Sequence, residues 1–483
     1  MKKLYGATKR FFSVYDKPIL FLFLIIVTVL YSVVAVMTHR QFLTFGWDLG
    51  FFDQLIWKVS RFSFPYSSLT KINLLANHFS PILFFFGPLY WISSRVEVLL
   101  ITQAILMVGA AIPLFSIAKR ETGHIGFSFA IVVAYLFFIG TQWSILNEFH
   151  EATIAPLFIA LAYYGIHKKK VAFWFWFGIL GLLFTKEEFV LLVVALGLTL
   201  ASYFKLKKIG LIICLLSLGW FFFLTHVFMP SISEKGSYQH AHLSSVAQTP
   251  GELALKIISD PVFVVQSVIS PPLKPLMVVQ SLVAFAILPL FAPLGIVWPL
   301  IEQFAMRLLY TGPQFTVWQN VNHHAAPAAI LLAIASIYGA KYIVTRYNKK
   351  ISYALVGVII IFTTTAQDIY FHGPIHSILK PSLYRLSPWM HDAYAVINKV
   401  PPDVEIAAQN SLIPHLSQRE TFYLLPEIGN AEYVVVDLHE GPNKFAPLTQ
   451  VEMKALVNKF IARQEYLIVF EQGDAMLLKR RSL

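Results

Sequence analysis

Residues 18–37 run without a charge over about the 20 residues that a helix needs to cross a ~30 Å hydrocarbon core. Apolar runs of comparable character recur at 96–118, 124–141, 152–166, 171–185, 189–204, 209–229, 276–293, 295–309, 325–345 and 351–367. A single soluble core has no room for so many. Only 13% of the 483 residues are charged, against ~25% in soluble domains, and 57% are hydrophobic. These features exclude an ordinary soluble enzyme and point to a polytopic, mainly α membrane protein. The first run follows a basic start, is longer than a signal-peptide core and lacks a clear small-x-small cleavage site, so it reads as a retained anchor.

The formal charge of +12 would suit a nucleic-acid binder if it formed one patch. Instead the basic residues fall in short clusters between apolar runs: Lys2, Lys3, Lys9, Arg10 and Lys17; Lys119 and Arg120; Lys168, Lys169 and Lys170; Lys205, Lys207 and Lys208; Arg346, Lys349 and Lys350. That is a positive-inside pattern, which orients helices. No nucleic-acid partner is expected. Cys214 is the one cysteine, so no intramolecular disulfide is possible.

Placing the basic clusters inside gives about eleven spans, a cytoplasmic N-terminus and an exterior C-terminus in the plasma membrane. Residues 1–370 form the membrane domain, with exterior loops 38–95 and 230–275. The segment 78–94, interrupted by Pro81 and Pro88, reads as a helix lying on the exterior surface. After about residue 367 charges become frequent, and strand-like runs appear at 404–407, 421–425, 433–437, 466–471 and 475–479. Helical patterns at 388–398 and 448–463 alternate with them. Residues 371–483 are therefore expected to form a small exterior α/β domain. Neither a glycine-rich phosphate loop nor an internal repeat is visible.

This threading gathers polar motifs at one face: Asp48, Asp53, Asn77 and His78; then Glu148, His150 and Glu151; then Lys186, Glu187 and Glu188; then His323 and His324. Ionisable residues at spans cost ~2.5–3.5 kcal/mol on insertion scales and are functional candidates by default. Carboxylates, imidazoles and a lysine together suit chemistry on an amphipathic substrate. The spacing of Glu148 and His150 allows a shared ion without matching a strong zinc motif, and a hard cation such as Mg or Mn is the better guess. Adjacent His323 and His324 are expected to diverge. Glu302 and Arg307 are expected to face one another as a buried pair, and His372, His376, Arg385 and His391 flank the outer domain.

Trp47-Asp48-Leu49-Gly50-Phe51-Phe52-Asp53-Gln54, with Asn77-His78-Phe79-Ser80-Pro81, resembles the membrane-protein family designated domain of unknown function 2079 (DUF2079). Glu148-Phe149-His150-Glu151, Lys186-Glu187 and the run from Ala408 to Arg419 are similar to the same pattern. A basic start, one span, a long loop with an early aspartate, further spans and an outer C-terminal domain also resemble the GT-C glycosyltransferases. That resemblance implies an inverting, hexosyltransferase-class transfer from a polyprenyl-phosphate sugar to a glycan, lipid or protein acceptor at the outer face. It also implies that the first-loop aspartate, here Asp48, is the base, sometimes assisted by a divalent metal. Asp48 lacks the adjacent second acid common in that superfamily. Lys186 and His78 are the candidates for the donor phosphate. The competing reading is a non-enzymatic lipid carrier or transporter.

Overall fold

The structure is a computed structural model that describes residues 2–481 except 168–169, 239–249, 311, 313, 348–349 and 442–444. The side chains of residues 2–15, 167 and 253–254 are also outside the description. Lys168, Lys169 and Lys349, the side chains of Lys2, Lys3, Lys9 and Arg10, and residues 239–249 of the second loop thus lie outside the described residues.

Each of the eleven apolar runs is helical over most of its length, starting with Lys2–Arg40. By length and composition, five helices among the described residues suffice to cross a membrane, or up to seven if each bent pair counts as one span. The helices Phe173–Thr185 and Phe189–Ser202 are shorter. Two apolar helix pairs are sharply broken. Ile125–Phe137 and Ile139–Leu146 meet at 50°, while Pro261–Ile269 and Leu273–Ala284 meet at 66°. Pro271 and Pro272 explain the second break, because proline removes a helix donor and biases its predecessor away from the α region. The first delivers the short helix Ile139–Leu146 directly into the Glu148 turn. Residues 81–92 form two short helical pieces, Pro81–Phe86 and Leu89–Ile92, separated by Gly87 and Pro88. One apolar core joins the helices from Leu20 to Leu383.

The C-terminal sheet has five strands, in the order Phe422–Leu424, Ile406–Ala408, Tyr433–Asp437, Ala475–Arg480, Tyr466–Gln472. The first three are parallel and the remaining pairings antiparallel. The period-two pleat sends Ile406, Ala408 and Val435 to one face and Ala407, Val434 and Val436 to the other. Helix Pro388–Ile397 covers the first face through Met390, Ala393 and Val396. Helix Gln450–Ala462 covers the second through Met453, Val457 and Phe460, and a Thr449/Glu452 capping box starts it. Burial on both faces accounts for the uniformly apolar central strands. Phe42 is buried in the core beneath the first face, so the first loop is part of that packing.

Candidate functional site

Asp48 sits on a single π-helical turn, Gly46–Gly50, that continues into helix Phe51–Ser60. Two contacts fix its backbone. Glu148 Oε2 accepts the Phe45 and Leu49 N–H groups, each at 2.9 Å, and Asn410 Oδ1 accepts the Gly46 N–H at 2.8 Å. The flanking glycines let the turn press on the C-terminal unit: a Cβ on Gly46 would lie 2.9 Å from Ile413 Cδ1, and one on Gly50 2.7 Å from Ile413 Cγ2. The Asp48 carboxylate itself is half-buried, and among the described residues it has no hydrogen bond or ion pair. Burial raises its pKa, opposed by nearby His150 and Lys186, while the Glu151 charge adds to the rise.

Gln103 builds the next turn. Its amide donates to the carbonyls of Ile145 at 2.9 Å and Glu148 at 2.7 Å, and its oxygen accepts from the His150 N–H at 2.9 Å and the Thr153 hydroxyl at 2.8 Å. Held this way, His150 Nδ1 lies 3.0 Å from Glu151 Oε2, and its ring stacks on His323 with centroids 3.3 Å apart. Asn322 ties the two turns together, bonding Asn147 at 3.2 Å and accepting from the Ser144 hydroxyl at 3.1 Å. Adjacent His323 and His324 do not diverge as expected. Their ring centroids are 4.1 Å apart, because they share one tight 3-10 turn.

Lys186 interrupts the helices Phe173–Thr185 and Phe189–Ser202 in an extended conformation. Its buried Nζ lies 3.1 Å from Glu188 and 3.6 Å from Glu151. Burial lowers its pKa, but the carboxylates of Glu188, Glu151 and Glu187 outweigh that and raise it. Glu151 is lowered on balance: burial favours its neutral form, but His150 and Lys186 hold it ionised. Glu187 organises the far wall, accepting from the Phe79 N–H and the Tyr238 hydroxyl and bonding His78 Nδ1, all at 2.9 Å. His78 thus pairs with Glu187.

Asp48, His150, Glu151, Lys186 and His323 therefore meet at one end of the bundle, with His78 and Glu187 beside them. Asp53 does not join them. Five residues along a helical path turn it to a different side, where it accepts from Tyr90, from Ser417 at 2.5 Å and from Gln418 at 3.0 Å. The donor set for an ion at Glu148 and His150 does not fit. The Glu148 carboxylate faces two backbone amides, His150 Nδ1 faces Glu151, and no group of three or more His, Cys, Asp or Glu among the described residues could hold a metal. Glu302 and Arg307 do not pair either. Arg307 donates to the carbonyls of Val317 and Gln319 and to Asn320, while Glu302 accepts from Gln303. His376 bonds Asp368 at 2.7 Å, away from the cluster. Gln103 and Asn322 escaped the sequence reading. The signal for Gln103 was its amide in the apolar helix Glu97–Gly109.

Fold and site together define a multi-pass membrane protein whose polar residues converge where the bundle meets an α/β unit. The chain belongs to DUF2079, a family described as predicted membrane proteins, whose model matches residues 38–474. Comparison with curated proteins gives no match. Among solved structures it is similar to ArnT from Cupriavidus metallidurans bound to undecaprenyl phosphate, at 11% identity. The match covers 95% of this chain and 97% of that one, with a TM-score of 0.54. The likeness is one of fold.

Proposed function

We propose that this protein is an integral membrane transferase that moves a sugar from a polyprenyl-phosphate donor to an acceptor hydroxyl, with Asp48 as base. The reading is supported above all by one observation. The Asp48 carboxylate has no hydrogen bond or ion pair among the described residues, while its backbone is pinned from both sides. A base held in place with its carboxylate unpaired is what proton abstraction requires. The bond from the sugar C1 to the phosphate oxygen breaks as the acceptor oxygen bonds C1 from the opposite face. The acceptor proton passes to Asp48 and then to water, and the electron pair of the broken bond leaves with the phosphate. Lys186 supplies positive charge for that phosphate; the two carboxylates beside its Nζ leave at least one of its three N–H donors for a ligand. His78, tethered by Glu187, belongs to the same wall. The donor class follows from the fold likeness to a protein bound to undecaprenyl phosphate. In this reading eleven helices span the plasma membrane, with the N-terminus cytoplasmic, residues 1–370 as membrane domain, and residues 371–483 as an exterior domain that covers the site.

The test uses the full chain in nanodiscs with a panel of isotope-labelled undecaprenyl-phosphate sugars and a membrane extract as acceptor source. Asp48→Asn should lower transfer ~10²–10⁴-fold while the melting temperature stays within about 2 °C of wild type. Full turnover by Asp48→Asn would refute the assigned base. Movement of labelled undecaprenyl phosphate across the bilayer without bond cleavage, indifferent to Asp48→Asn, would replace the enzyme by a lipid carrier.

A further inference from the structure

A cleft of about 520 Å³ opens between the end of the first helix, the segment 94–97 and the loop 414–419 of the C-terminal unit. Its volume lies in the range of ~300–1,000 Å³ typical of small-molecule sites. Its charges sort simply. Arg40 and Glu97 pair at 3.4 Å and cancel. Asp53 is taken up by Tyr90, Ser417 and Gln418, and Arg419 by the carbonyls of Leu416, Pro401 and Val404. That leaves Arg95, which is exposed and whose guanidinium has no hydrogen bond or ion pair among the described residues. The lining charges are then three arginines against two carboxylates, a net positive cleft.

The floor is neutral but polar. His39 stacks on His415 with ring centroids 4.1 Å apart, and His39 Nδ1 bonds Thr44 at 2.9 Å. His415 Nε2 is shielded from solvent and has no hydrogen-bond partner. Leu386, Pro402 and Tyr394 supply apolar faces such as a pyranose ring stacks upon. The cleft also adjoins the Asp48 turn: Pro414 lines it, and the preceding Ile413 packs on Gly46 and Gly50.

We propose that this cleft binds a sugar carrying a phosphate or carboxylate, with Arg95 on the anion. As the acceptor subsite of the transfer described above it rests on that reading, but the binding itself does not. The probes are glucose 6-phosphate, glucuronate and uncharged glucose, titrated into the full-length wild-type and Asp48→Asn proteins in nanodiscs, with ligand-observed NMR as readout. Both anionic probes should bind at least tenfold more tightly than glucose, equally in the two proteins, and Arg95→Gln should remove the preference. Binding of glucose as tight as that of the anions, an unchanged preference in Arg95→Gln, or no binding of any probe overturns the site. Loss of the transferase assignment with anion preference intact leaves the cleft as a binding site alone. The two anionic probes separate the phosphate from the carboxylate source.

Discussion

At the residue scale, Glu148 is the side chain on which Asp48 depends. One oxygen accepts two amides, Phe45 N–H and Leu49 N–H, that bracket the aspartate, so a shift of this carboxylate moves the base. Hydrogen bonds to a charged acceptor contribute about 1.5–3 kcal/mol each. A displacement of ~1 Å at a reacting group costs ~10²-fold in rate. Glu148→Ala should therefore lower kcat about 10²-fold with KM little changed, and Glu148→Gln, which keeps an acceptor oxygen, should recover most of the loss. Steady-state kinetics of the two variants check this. An equal loss in both would mean that the charge, and not the acceptor geometry, is what the site needs. The sequence suggested a metal ligand here, because a carboxylate and an imidazole stand two positions apart. The amides that Glu148 serves lie about a hundred residues earlier, and nothing local advertises them. Asp48 was singled out by the threading and the resemblance to a first-loop aspartate, whereas the close approach of its flanking glycines to Ile413 was not foreseen. Gln103 was legible only as an amide in an apolar helix.

At the scale of elements, the π-helical turn joins the membrane bundle to the C-terminal unit, and steric fit sets the joint. Gly50 has ordinary helical angles, φ −65° and ψ −37°, so alanine there carries no backbone strain. Its Cβ would instead meet Ile413 Cγ2 at 2.7 Å. Overpacking of this kind costs ~1–3 kcal/mol, while Ile413→Ala alone costs ~2–5 kcal/mol. The double variant relieves the clash. It should be less destabilised than the sum of the singles by at least ~1 kcal/mol, the coupling expected of residues in contact. Thermal unfolding of the four proteins measures it, and strict additivity would show that the two residues do not touch. The individual elements were readable: apolar length marked the helices, and short strand-like runs alternating with helical patterns marked the five strands and both helices of the C-terminal unit. The expected Glu302–Arg307 pair failed for a geometric reason. Five positions along a helix are about 140° apart around its axis, whereas side chains meet at three or four. Arg307 turns instead to carbonyls of a loop that the helix pattern could not locate.

At the scale of the whole molecule, one helix fastens the two units. From Phe51–Ser60, Gln54 donates to the Arg419 carbonyl at 3.1 Å, Lys58 to that of Glu420 at 2.9 Å, and Asp53 accepts from Ser417 and Gln418. The sequence placed this helix only within the exterior loop 38–95, and its partners stayed hidden because these contacts span more than 350 residues. The fastening carries a pH dependence. Burial raises the Asp53 pKa to about 6, against the lowering effect of hydrogen bonds from Ser417, Tyr90 and Gln418, and the Glu97 charge adds to the rise. An unfolded aspartate titrates near ~3.9, so between these values the folded protein holds a proton that the unfolded chain has lost. The stabilisation is complete below pH ~4, fades as pH rises to about 6, and is absent above. A shift of about two units corresponds to about 3 kcal/mol. Asp53→Asn removes this titration and leaves the other carboxylates in place. The unfolding free energy of wild type minus that of Asp53→Asn, followed in mild detergent from pH 4 to 8, should fall by about 3 kcal/mol up to pH 6 and then stay level. A difference that rises with pH would mean that the three donors outweigh burial and hold Asp53 ionised in the folded protein.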